Sequence, residues 1–222
     1  HRDSTAQPLR GSRRVLAQFY QCADRQQARE RGRHGFGQTV AFGQQCVDIG
    51  GPAIRIGSGR HLPGQRRGDQ RRAPLDISTG CAQRLGRPVL LHNRESEEAL
   101  LAILETHAKG SPEKPRGVFH SFCASTATGA RAIALGYLVS YSGMITFRMA
   151  ENVRESAAAL PLESMLVETD APYLAPAPFR GKPNEPAYVT RTAAKLAEVK
   201  GVSLEVVARA TTASFRRLFG TP

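Results

Sequence analysis

Three side chains able to bind a metal ion stand at the ends of short apolar runs. His92 closes PVLLH, His120 lies near the end of GVFHSF, and Asp170 closes MLVETD. Neutral imidazoles and a carboxylate form a donor set suited to Zn²⁺, Mn²⁺ or a related divalent ion. The histidines are 28 residues apart and His120 is 50 from Asp170, spacings of one and of two strand-plus-helix units. Each residue alone has a plainer explanation: a histidine near a strand end is commonly a hydrogen-bonded structural residue, and an aspartate just before a proline can cap a turn. The same placement occurring three times argues for a shared site. His107 falls in a helical pattern without a companion, so it is read as structural.

The elements that must position these residues alternate regularly from residue 87 onward. The run 88–92 is strand-like, and 95–109 carries Leu100, Leu101, Ile103 and Leu104 on one helical face. Strand patterns follow at 117–122, 137–143 and 164–170, and helical patterns at 125–135, 150–160, 185–199 and 203–219. Strands separated by helices pair in parallel, because each return to the sheet needs a crossover of a dozen or more residues. The fold class is therefore α/β, with four βα units in succession. That is the pace of half a TIM (β/α)8 barrel, whose functional side chains gather at the C-terminal strand ends.

Composition divides the chain. Residues 1–85 hold 15 Arg, no Lys and six acidic residues, whereas 86–222 hold 16 basic and 13 acidic residues. All 11 Gln fall in the first part and all five Lys in the second. The +12 formal charge, which would ordinarily indicate a polyanionic partner such as nucleic acid, is thus mainly N-terminal. Residues 1–85 are expected to be an irregular segment with little regular structure, apart from a helix-like pattern over 15–31; 86–222 are expected to form the barrel part. The four Cys are widely spaced without a CxxC pair, so neither a zinc knuckle nor a dense disulfide framework is suggested and free thiols are expected. No apolar run approaches the roughly 18 residues of a membrane span. A cytoplasmic enzyme is expected, beginning at His1 and incomplete at its N-terminus.

The words around the candidate ligands, LLHNRES, VFHSF, YSGMITF, ETDAPYLAP and FRGKPNEP, resemble the TatD deoxyribonuclease family in order and spacing over nearly all of 86–222. The resemblance implies an amidohydrolase-like TIM barrel that hydrolyses DNA phosphodiesters with one or two divalent cations (Mg, Mn or Zn). It implies His92, His120 and Asp170 as metal ligands, with Asp170 also holding or deprotonating the attacking water. Arg94, Arg180 and Lys182 are expected as phosphate contacts, and Asn184, within the matched RGKPNEP, as a substrate-site residue. Glu168 and Asn184 can equally brace a loop, and Tyr173 can stack on a sugar or base or pack beneath its turn.

A complete family member also carries an HxH strand and a bridging Glu in a GEIGLD-like segment, roughly 35 residues before the His92 position. Neither stands here: 54–59 read IRIGSG, and HxH occurs nowhere. Three remaining ligands can hold at most one ion, so the chain is expected to be impaired. The Arg/Gln-rich, Lys-free tract fits a coding sequence read out of frame up to about residue 80; a divergent arm joined to half a barrel is the other account. An amidohydrolase-like C–N or ester hydrolase and an inactive basic nucleic-acid-binding protein are the competing functions.

Overall fold

The computed structural model describes residues 79–93, 96–110 and 116–220, together with the strand backbones 39–42, 45–48 and 54–56. The helix-like pattern over 15–31 lies outside the described residues. Seven strands form one sheet in sequence order: β1 (Thr39–Phe42), β2 (Gln45–Asp48), β3 (Ile54–Ile56), β4 (Val89–His92), β5 (Gly117–His120), β6 (Tyr137–Tyr141) and β7 (Met165–Val167). β1 to β3 are antiparallel, and β3 through β7 run parallel. Helices α1 (Glu97–Gly110), α2 (Thr126–Ala134) and α3 (Glu151–Ala159) connect the parallel strands, and α4 (Val189–Lys200) and α5 (Leu204–Phe219) follow β7.

The four C-terminal units thus stand as the periodicity predicts, in a partial barrel. Before residue 80, three short strands join the sheet. β3 pairs with β4 from Ile54–Val89 to Ile56–Leu91. An uncovered β4 would present a row of unpaired N–H and C=O groups, and even a three-residue strand satisfies some of them. No helix among the described residues is long and apolar enough to cross a membrane.

Alternation along the strands creates two faces. Val89, Leu91, Phe119, Tyr137, Val139, Tyr141, Met165 and Val167 belong to the main core with helix residues such as Leu101, Leu104, Ala132, Ala157 and Leu196. Edge-on contacts of Phe119 with Tyr137 (5.9 Å) and of Phe122 with Tyr141 (6.1 Å) fill this layer. Burial pushes the Tyr141 phenol up to about 12, and its hydroxyl pairs with Ser156 Oγ at 3.1 Å, so it is a neutral packing group. On the opposite face Val118, Leu138 and Leu166 pack with Leu218, and Leu90, Phe215 and Phe219 lie against them. His92 and His120 share the parity of Leu90 and Val118, so they rise above this second layer at the C-terminal edge.

Helix starts follow local chemistry. Ser125 caps α2 by accepting from the Thr128 N–H at 3.2 Å, and Ser203 caps α5 through the Val206 N–H at 3.4 Å. Strand ends do not follow the apolar pattern. The run 117–122 predicts a strand through Phe122, yet β5 stops at His120, because Ser121 takes a left-handed backbone at φ 47°. β7 stops at Val167, and Asp170 lies beyond it at φ 61°.

Candidate metal centre

The strand ends bring the sequence-derived residues together in pairs. His92 and His120 are register partners on neighbouring strands, with ring centroids 5.7 Å apart. His120 Nε2 stands 3.8 Å from Asp170 Oδ1. That separation is too long for a hydrogen bond. It is close to the roughly 3.0–3.6 Å between two donors that share an ion at bond lengths of about 2.0–2.1 Å. Among the described residues no group of three or more His, Cys, Asp and Glu is drawn tightly enough to enclose an ion. The donor types suit a divalent cation, and the geometry brings His120 and Asp170 together, with His92 one strand over and exposed.

Asp170 is presented by a braced turn. Tyr173 N donates to Asp170 O at 2.8 Å, closing the turn, and the left-handed backbone at Asp170 is one that Asp and Asn tolerate better than most residues. Asn184 holds the turn from beneath. Its Nδ2 donates to the carbonyls of Thr169 and Tyr173, both at 2.6 Å, and its N–H donates to Pro172 O at 2.9 Å. Its Oδ1 accepts from Glu185 N at 2.9 Å, and the residue is 5% exposed. Asn184, expected either at the substrate site or as a loop brace, has its polar atoms engaged by the loop.

The other expected contacts differ in setting. Arg180 lies with its guanidinium 3.6 Å above the Phe147 ring and remains exposed, and Lys182 is exposed on the same loop. Arg94 lies outside the described residues. Tyr173 is 71% exposed, so it does not pack beneath its turn. His107 has a partner after all, Gln83 Oε1 at 3.1 Å, far along α1 from the strand ends.

Sequence reasoning left Glu168 undecided between site and brace. Its Oε1 lies 2.7 Å from His120 Nδ1 and accepts from the Ser121 N–H at 2.9 Å. The available signal was its position two residues before Asp170 in ETD, which gives both carboxylates the same strand parity.

Residues 69–220 match the TatD related DNase family. The chain belongs to that family. The match begins ahead of the compositional change near residue 86. Among curated relatives, the uncharacterized metal-dependent hydrolase YcfH of Escherichia coli K12 is 44% identical over 135 residues, covering 61% of this chain and 50% of YcfH. The uncharacterized metal-dependent hydrolase TatD of Mycobacterium tuberculosis is 36% identical over 183 residues, covering 82% of this chain and 65% of that protein. That is more than the 137 residues of 86–222, so the likeness runs into the Arg-rich part. The crystal structure of YjjV, a TatD homologue from E. coli K12, superposes with a TM-score of 0.61 at 33% identity, covering 66% of this chain and 55% of that one. The TatD-family chain described here spans about half the length of the curated relatives it first matches.

The loops of this family member that frame the site are in close contact. A Cβ on Gly143 would overlap the carbonyl oxygen of Leu174 and come within 3.1 Å of Pro176 N, and Ala177 N donates to Thr146 Oγ1 at 2.8 Å. Gly143→Ala is expected to separate the 143–146 turn from the loop carrying Asp170, at a cost of about 1–3 kcal/mol. Urea unfolding measures that loss, and an unchanged midpoint contradicts the close approach.

Proposed function

We propose that the protein is a metal-dependent deoxyribonuclease of the TatD type, cleaving DNA phosphodiester bonds with water as the nucleophile. The observation that carries this reading is the 3.8 Å spacing of His120 Nε2 and Asp170 Oδ1 at the C-terminal strand ends of a TatD-family chain. His92, His120 and Asp170 are assigned to hold the ion. A divalent cation, when bound, lowers the pKa of a water and neutralises charge on phosphate oxygens. Asp170 takes the proton from the attacking water as the new oxygen–phosphorus bond forms. The bond to the leaving sugar oxygen breaks, and that oxygen takes a proton from solvent. Arg180, Lys182 and Arg94 are assigned to the phosphates. Stacking on Phe147 fixes Arg180 in place, and its planar fork suits bidentate phosphate contact.

Tyr173, exposed beside Asp170, is assigned to stack on a base or sugar. The location proposed is the cytoplasm, supported by Cys81 and Cys123, thiols that form no disulfide among the described residues.

The test is release of nucleotides from end-labelled single- and double-stranded DNA with Mg²⁺, Mn²⁺ or Zn²⁺, with and without chelator. Turnover that chelator abolishes supports the proposal. In the same assay Tyr173→Ala is expected to raise KM for DNA about tenfold while leaving kcat within about twofold, since stacking contributes on the order of 1–3 kcal/mol per base. Amide or ester hydrolysis without DNA cleavage overturns the nuclease reading. DNA binding that survives chelation without turnover identifies an inactive binder instead.

A further inference from the structure

We propose that Glu168 is the positioning residue of the metal centre, holding the His120 ring in the one tautomer and orientation that turn an unprotonated Nε2 toward Asp170. The proposal rests on the reading of His120 and Asp170 as cation ligands. Its starting point is that a single carboxylate oxygen serves two neighbours. Glu168 Oε1 accepts from the Ser121 N–H at 2.9 Å and lies 2.7 Å from His120 Nδ1. A carboxylate oxygen accepts, so the short contact to Nδ1 requires the ring proton on that nitrogen. In the neutral ring the other nitrogen, Nε2, then carries the lone pair, and it is Nε2 that stands 3.8 Å from Asp170 Oδ1. Histidines that bind metals characteristically donate their second nitrogen to a carboxylate or carbonyl, which fixes the tautomer and raises ligand basicity.

The surrounding backbone is arranged around this oxygen. Ser121 holds φ at 47°, a left-handed conformation that is uncommon outside glycine, and this turn is where its N–H reaches Glu168 across the sheet. The conformation is held from two sides. Ser121 Oγ pairs with buried Ser142 Oγ at 2.9 Å, and Phe122 N donates to Ser140 O at 2.8 Å. Glu168 is anchored in turn, because its own N–H donates to Tyr141 O at 2.9 Å, one residue past the end of β7. The ends of β5, β6 and β7 therefore converge on one residue. A purely structural tie between strands needs only the Ser121 bond; the contact to His120 Nδ1 adds control over a ligand.

The test is ¹⁵N-edited NMR of the imidazoles in the metal-free full chain, with His120 assigned by comparison with His120→Gln. His120 is expected to show the Nδ1–H tautomer. Glu168→Ala is expected to lose that fixed tautomer and to weaken Mn²⁺ binding, titrated by EPR, by 10- to 100-fold. Glu168→Gln, whose side-chain oxygen still accepts from both donors, is expected to keep the tautomer and lose less affinity. An Nε2–H tautomer in the unsubstituted protein overturns the proposal without any variant. So does an Nδ1–H tautomer that persists in folded Glu168→Ala or, if that variant fails to fold, in Glu168→Leu. Mn²⁺ affinity unchanged in His120→Gln overturns instead the reading of the site on which the proposal rests.

Discussion

Exchanging Asp170 for asparagine is expected to lower metal-dependent DNA hydrolysis by about 10³-fold, roughly 4 kcal/mol of transition-state stabilisation. Asparagine is the informative substitution because the residue sits at φ 61°, where alanine would add backbone strain to the loss of charge. Asn tolerates that conformation, so the braces from Asn184 and the Tyr173 N–H to Asp170 O bond are expected to persist. The change then removes one negative donor and the proton acceptor with little effect on the fold. Initial rates at saturating Mn²⁺, with thermal unfolding as the folding control, are the measurement. A variant that keeps full activity would remove Asp170 from both roles.

A comparably large gain is expected from supplying the donors that the N-terminal part lacks. Residues 54–59 fall within the 183 residues matched by the M. tuberculosis relative and read IRIGSG, without a carboxylate. A corrected chain, given a GEIGLD-type carboxylate at 54–59 and an HxH strand before it, would carry those donors. The sheet supports this location, since β3 is the parallel neighbour of the strand that ends in His92, and the middle residue of β3, in register with Leu90, is now Arg55. A carboxylate and two imidazoles in that region allow a second ion, and the corrected chain is expected to cut DNA at least about 10²-fold faster. Calorimetric metal stoichiometry and single-turnover rates on both chains test it. Equal rates, with the 222-residue chain fully metal-loaded, would show that the missing donors are not required.

Much of the architecture was legible because the βα units are locally encoded. The face made by Leu100, Leu101, Ile103 and Leu104 specifies α1, and all four are buried as the periodicity requires. His92 and His120 were expected from strand pattern and spacing at the ends of adjacent or near-adjacent strands, since one βα unit carries the chain to the next position in a parallel sheet. The short strands before residue 57 were not legible. Their residues lack a clear alternating pattern, and pairing with the edge of β4 depends on a partner distant in sequence.

The sequence by itself determined the parallel βα succession, the family words and the residue types that can bind a cation. Those follow from periodicity and from side-chain chemistry, which are properties of short segments. Only the tertiary structure decided the contacts of individual residues within the motifs. It assigned Asn184 to bracing the turn, stacked Arg180 on Phe147, exposed Tyr173, and set Glu168 against the ring of His120. The physical reason lies in the strand ends. Ser121 and Asp170 leave the extended conformation at positive φ, and the direction of a side chain beyond such a turn is fixed by hydrogen bonds to neighbouring strands rather than by the residues beside it in sequence.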